Sequence, residues 1–279
     1  MTGTIIRIIS NLYTVSLNGK IYETRARGKF RKDNIKPLVG DHCIIDEKEK
    51  YILEILPRKN ELLRPKVANV DAALIVTSVK DPDLSLNLLD KLISVVSLNN
   101  ITPVICFTKL DLANSSQLED IKQIRAYYES LGYLVFDNQN LDELKNFIKG
   151  KTIVLAGQSG AGKSSLLNKL NPALNLQTNA ISLALGRGKH TTRHTELFEL
   201  NEGFVVDTPG FSALDLSLYT KEEVRDSFKE FQEYNCKFKD CMHLKEIGCD
   251  VKRKVENKEI MLSRYENYQS FLKEVLKCK

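Results

Sequence analysis

Apolar and β-forming residues gather in short runs at 4–9, 12–17, 20–26, 42–46 and 51–56, separated by polar stretches, and these read as five short strands. Asn18-Gly19 between the second and third is a strong hairpin-turn signal. From residue 72 the pattern changes. Residues 72–77, 103–107, 133–136, 152–156 and 204–206 are short apolar, β-branched runs, the mark of strands buried on both faces. Between them, residues 86–98, 141–148 and the stretch after 163 carry apolar residues at helical spacing. Near the end, 220–234 and 253–277 read as helices. The second has a stripe of Val255, Ile260, Met261, Tyr265, Tyr268, Phe271, Leu272 and Val275.

Five strands in about sixty residues without a long helix predict a small closed barrel of the OB-fold type. Strands alternating with helices predict a parallel α/β sheet. The expected organisation is therefore multidomain: an OB-fold barrel over 1–64, an α/β nucleotide-binding domain over 65–214 and a small α-helical metal-binding domain over 215–279.

Gly157-Gln158-Ser159-Gly160-Ala161-Gly162-Lys163-Ser164 lies between a predicted strand and a predicted helix and reads G-x-x-x-x-G-K-S, the phosphate-binding loop. Its glycines let backbone N–H groups curl around phosphate oxygens, and the helix start adds partial positive charge. Lys163 is expected to reach the β- and γ-phosphates, with Ser164 coordinating Mg²⁺ and Ser165 completing the loop. Thr108-Lys109-Leu110-Asp111 follows a buried strand and matches [N/T]-K-x-D, the guanine-reading element of GTPases. The Asp111 carboxylate can accept from guanine N1–H and N2–H₂, a donor pair adenine lacks, and the Lys109 stem can lie along the base. Asp207-Thr208-Pro209-Gly210 supplies D-x-x-G: Asp207 for Mg²⁺ through a water, Gly210 N–H for the γ-phosphate. Between these motifs, either Thr191 or Thr192 can complete the Mg²⁺ shell in the triphosphate state, and the expected site takes Thr192. The base reader precedes the phosphate loop, the reverse of ordinary GTPases, so the order is circularly permuted. The chain also leaves Gly210 and enters the C-terminal segment within a few residues, so loss of the γ-phosphate contact would move that segment directly.

Cys236, Cys241, His243 and Cys249 offer three thiolates and an imidazole within fourteen residues, a closed structural zinc shell. Cys43 and Cys106 sit in apolar strands and read as core, whereas Cys278 has a polar context. No signal peptide or membrane span is evident, which predicts a cytoplasmic protein with reduced thiols. The net charge of +5 is unevenly spread. Residues 1–67 hold fourteen basic against eight acidic side chains, 68–214 thirteen against fifteen, and 215–279 fourteen against thirteen. The barrel thus carries the excess, and Arg25, Arg27, Lys29 and Arg31 would share one face of an extended strand, with Tyr22 and Phe30 as stacking surfaces for RNA.

These motifs resemble, along the whole chain, the circularly permuted ribosome-small-subunit-dependent GTPase A (RsgA) family. The resemblance rests on Thr108–Asp111, Gly157–Ser165, Asp207–Gly210 and the Cys/His spacing. It implies a GTP hydrolase acting late in small (30S) subunit maturation and stimulated by that subunit and its 16S rRNA. The expected protein is a monomer with GTP/GDP, Mg²⁺ and one structural zinc, and has no membrane partner. The family carries a Ser-Ala-type base contact before the phosphate loop, where this chain has Val135-Phe136-Asp137-Asn138-Gln139. Phe211 stands where water-orienting GTPases place Gln, so another group must orient the water, and the resemblance offers His190 for this role. The expected catalytic set is Lys163, His190 and Thr192. A second reading is a GTP-switched RNA-binding assembly factor in which hydrolysis serves only for release.

Overall fold

The computed structural model describes residues 2–28, 30, 35–63, 66–172, 195–207 and 215–277. Strands β1 (Thr2–Ile9), β2 (Leu12–Leu17), β3 (Lys20–Ala26), β4 (His42–Asp46) and β5 (Tyr51–Ile55) pair in the order β1-β2-β3-β5-β4, and β4 returns to β1. That closure leaves no free edge. The inward-facing residues, among them Ile5, Val15, Cys43, Ile45 and Ile52, form its core. Phe30 is also buried there, at 5 % exposure, because β3 ends at Ala26 and the chain turns inward. It therefore offers no stacking surface. Arg25 and Arg27 remain exposed, while Lys29 and Arg31 lie outside the described residues.

A short hairpin, β6 (Glu61–Leu63) and β7 (Lys66–Ala68), leads into the second sheet. Here β8 (Ala72–Ser78), β9 (Thr102–Thr108), β10 (Leu134–Asp137), β11 (Thr152–Ala156) and β13 (Gly203–Asp207) run parallel in the order β10-β9-β8-β11-β13. β12 (Glu196–Leu200) joins β13 antiparallel and extends the sheet to the barrel, Arg7 of β1 pairing with Glu196. Helices α1 (Leu86–Leu98) and α2 (Ser115–Ser130) share one hydrophobic cluster, and α3 (Leu141–Ile148) and α4 (Lys163–Leu170) contribute to the other. Chain order reverses between β8 and β11, so their C-terminal ends open the crevice where doubly wound sheets bind ligands.

The C-terminal segment contains α5 (Lys221–Asp226), α6 (Asp250–Glu256) and α7 (Leu262–Lys277). The helix expected over 220–234 is shortened to α5 and a 3₁₀ turn at Lys229–Phe231. Packing decides this: the turn stacks Phe228 on Phe231, 5.1 Å between centroids, and sets both against Tyr268. The helix expected over 253–277 is two helices, because Asn257 caps the first and Lys258, at φ +63°, leaves the helical conformation.

This segment does not hang from its entry point. Phe228, Phe231, Tyr268, Phe271 and Val275 belong to the same core as Leu89 and Leu92 of α1. The junction is also ionic. Arg264, 1 % exposed, forks onto Glu230 at 2.6 and 2.9 Å and donates to Asp90 of α1 at 2.7 Å. Asp90 also accepts from Tyr128 at 2.5 Å and Asn267 at 2.6 Å. The segment thus has a broad contact with α1; the direct link expected from Gly210 falls on residues 208–214, which lie outside the described residues.

Candidate nucleotide site and metal centre

Every predicted nucleotide-binding residue within the described set lies at the C-terminal edge of the parallel strands. Gly157 leaves β11 at φ +127°, and a Cβ there would lie 2.0 Å from the Val76 carbonyl oxygen, so no other residue fits. Gly162, at φ +89°, caps the start of α4 and aims that helix at the loop. Ser164 is buried on the first turn of α4, and Ser165 beside it is exposed. Lys163 Nζ donates to the Gly157 and Gln158 carbonyls, each at 2.7 Å. Burial lowers its pKa, since the ammonium is partly withdrawn from water.

Thr108 ends β9 with its side chain buried, and its hydroxyl donates to the Ala161 carbonyl at 2.6 Å. It thereby ties the Thr108–Asp111 stretch to the Gly157–Ser164 loop. The motif string does not show this bond. Lys109 follows at φ +58° and donates from Nζ to the Asp81 carbonyl in the loop after β8. Asp111 is exposed on the next short turn. A carboxylate and two loops held together at one sheet edge can grip a purine and a polyphosphate at once. His190, Thr191, Thr192, Gly210 and Phe211 lie outside the described residues; Asp207 ends β13 at the same edge. A separate cleft of about 780 Å³, between the C-terminal segment and the ends of α1 and α2, is lined by Glu223, Asp226, Lys229 and Glu233 and carries none of the predicted residues.

Cys236, Cys241, His243 and Cys249 converge with their ligand atoms within 4.8 Å of one another, able to hold a metal ion. The Cys236 and Cys249 sulfurs are 3.8 Å apart, and His243 Nδ1 is 3.6 and 3.4 Å from them. Backbone N–H groups of Asp250 and Lys252 donate to these sulfurs at 3.2 and 3.5 Å, as suits thiolates. Burial lowers the His243 pKa to about 4, so the imidazole stays neutral and its lone pair is available. Phe231 and Tyr234 wall the ring, and Tyr265 and Tyr268 bond the carbonyls of His243 and Met242, both at 2.6 Å. Cys43 and Cys106 are buried elsewhere, their thiols pushed up to about 12 by burial. Cys278 is outside the described residues.

The profile of the RsgA GTPase matches residues 55–217, and that of the RsgA N-terminal domain residues 2–51. The chain belongs to the RsgA GTPase family. It is 47% identical to the small ribosomal subunit biogenesis GTPase RsgA of Enterococcus faecalis, over 99% of this chain and 95% of that one. Identity to RsgA 1 of Listeria monocytogenes is also 47%, over 99% and 97%. Among solved structures it is similar to YloQ, a circularly permuted GTPase (TM-score 0.83, 39% identity, 100% of this chain and 96% of that one). It is likewise similar to YjeQ from Thermotoga maritima (TM-score 0.86, 37% identity, 99% and 98%).

The chain is a GTP-hydrolysing enzyme with a permuted sheet, an N-terminal five-stranded barrel and a C-terminal Cys/His cluster. Among its described residues no helix is long and apolar enough to cross a membrane. Three contacts at this site are not marked by the motifs. Asp81 lends Lys109 a carbonyl, Thr108 clamps the phosphate loop, and Asp137 caps the turn after β10. A β10 ending in Asp-Asn was the signal for the last; nothing local marks the first.

Proposed function

We propose that this protein is a GTP hydrolase stimulated by the small ribosomal subunit, and that it acts in late maturation of that particle through contact of its N-terminal barrel with 16S rRNA. The observation that carries the reading is the joining of a T-K-x-D base reader to a G-K-S phosphate loop by the Thr108–Ala161 bond, in a chain whose relatives are named for small-subunit biogenesis. The barrel supports the RNA contact: a groove of about 740 Å³ is lined by Asn11, Tyr13, Arg25, Arg27 and Tyr51. We take 1–64, 65–214 and 215–279 as the three working units, in a cytoplasmic monomer.

In this reading Asp111 accepts from guanine N1–H and N2–H₂, Lys109 covers the base, and residues Gly157 to Ser165 cradle the phosphates. Ser164 and Thr192 would hold Mg²⁺ directly and Asp207 through a water; bound Mg²⁺ neutralises charge on the β- and γ-phosphates. Lys163 stabilises the charge that develops on transfer, Gly210 N–H senses the γ-phosphate, and His190 orients the attacking water. GTP turnover should rise at least about tenfold with purified small subunits, with a steep fall as salt increases if phosphate contacts carry the docking. In the stimulated assay His190→Ala should be slower by about 10²-fold, the lower range for a positioned acid–base group. GDP affinity should stay the same. Absence of stimulation rejects the ribosomal reading, and a wild-type stimulated rate removes His190.

For the Cys/His centre we propose structural zinc. Zn–S near 2.3 Å and Zn–N near 2.0–2.1 Å in a tetrahedron set S···S at about 3.8 Å and S···N at about 3.5 Å. The separations of 3.8, 3.6 and 3.4 Å fit that shell. Four protein ligands leave no position for substrate. Chelation should raise hydrogen exchange over 235–250 while α7, held by Arg264 and the aromatic core, stays protected. Loss of protection along α7 as well would mean that the metal holds the whole segment together.

A further inference from the structure

A carboxylate can read only the donors of guanine. The O6 oxygen, which also separates guanine from adenine, needs a donor. We propose that the side-chain amide of Asn138 supplies it, a role that rests on the assignment of Thr108–Asp111 as the base reader.

β10 lies parallel to β9, with Asp137 opposite Phe107. The residues that follow, Asn138 and Thr108, therefore emerge side by side at the ligand edge. Asn138 N–H donates to the Phe107 carbonyl at 3.0 Å, which adds one more rung to the ladder and fixes where its side chain starts. Only residues 138–140 separate β10 from α3. Their other N–H groups are taken: Gln139 and Asn140 both donate to Asp137 Oδ1, at 2.9 and 3.0 Å. Asp137 Oδ2 meets Arg125 at 2.9 Å, and Arg125 also donates to the Val135 carbonyl at 3.0 Å. Against the cost of burial, these bonds hold the Asp137 carboxyl below its usual range, so the cap is an anion at neutral pH. The turn is thus rigid, and its backbone has no donor left for a base.

The Asn138 side chain does. Its Oδ1 is buried and accepts from no donor. Its Nδ2 has no partner among the described residues and is not enclosed with the oxygen. The donor end of this amide is the one open to a ligand, beside the residues that would hold the base. An N–H₂ there favours the O6 of guanine and opposes the N6–H₂ of adenine, which would set donor against donor. One amide therefore adds both affinity and discrimination.

Equilibrium titration of the full-length protein with GDP and with 6-thio-GDP tests this. The analogue keeps N1–H and N2–H₂ and replaces only the O6 acceptor with a weak one. Asn138→Ala should bind GDP about tenfold more weakly, the value of one well-formed hydrogen bond in a shielded site, yet change 6-thio-GDP affinity by no more than about twofold. Asn138→Asp, which keeps the shape and removes the donor, should lose GDP affinity at least as much. Equal losses for both nucleotides, or an unchanged GDP affinity in both variants, would overturn the proposal. Asp111→Asn in the same titrations separates the underlying assignment: transfer of preference from GDP to XDP upholds it, and retained GDP preference removes it whatever Asn138 does.

Discussion

Arg264→Ala is expected to cost about 3–5 kcal/mol of stability, the range for removing one partner of a buried ion pair. Two carboxylates lose their cation at once. Asp90 is fully enclosed and Glu230 is 3 % exposed, so water cannot take over. Melting should fall by roughly 6–20 °C, at 2–4 °C per kcal/mol for a chain of this size class. The exposed pair Arg253–Asp250 provides the control: its arginine is 60 % exposed, and Arg253→Ala should change stability by less than about 1 kcal/mol. The deficit should depend on pH in a stated direction. Burial already raises Asp90 above its usual range against the pull of Arg264. Without that pull the folded variant holds a proton more tightly than the unfolded chain does. Its stability is then greatest at low pH and falls as pH rises through the folded pKa. Thermal melts between pH 4.5 and 8 check this; a deficit independent of pH would mean that lost packing against Phe228, not uncompensated charge, dominates.

Lys163→Ala should lower single-turnover GTP hydrolysis at saturating nucleotide by about 10²–10³-fold, comparable to loss of one preorganised charge-stabilising donor. The ammonium now held by the Gly157 and Gln158 carbonyls is within a side chain's swing of any phosphate in the loop. Exchange of two neutral carbonyls for anionic phosphate oxygens would give this partly buried cation charge-assisted hydrogen bonds. Lys163→Arg should not rescue, because the fork of a guanidinium does not fit a cradle shaped for a point charge. A rate within a few-fold of wild type would remove Lys163 from catalysis.

Local pattern carried much of this architecture. The five barrel strands fall within a residue or two of the β-forming runs, since strand formers and the Asn18-Gly19 turn are written in consecutive positions. The phosphate loop and the Cys/His cluster were legible for another reason: their chemistry requires fixed residue types at short spacing. What escaped depends on distant partners. Phe30 looked like an exposed aromatic in a basic stretch until the closed barrel supplied a core for it. The 220–234 stretch has helical periodicity, but Phe228 and Phe231 gain more by stacking under Tyr268 than by continuing the helix. Asp90, the one acidic residue of its helix, gave no sign of Arg264, which is 174 positions away. Thr108 was read against the base alone, and its bond across 53 positions to Ala161 appears only once β9 and the phosphate loop share an edge.

The junction of β12 with β1 gives the molecule a thermodynamic property. β12 directly follows residues 173–194, the stretch that holds His190 and Thr192, and it is stitched to the barrel by the Arg7–Glu196 pair and by Ser16 donating to Glu199 at 3.2 Å. Whatever nucleotide does to β12 is therefore felt as a change in the free energy of the barrel, and linkage makes the effect reciprocal. If GTP tightens the barrel's grip on RNA by some factor, RNA must tighten GTP binding by the same factor, so the ribosome and the nucleotide would each act as the other's effector.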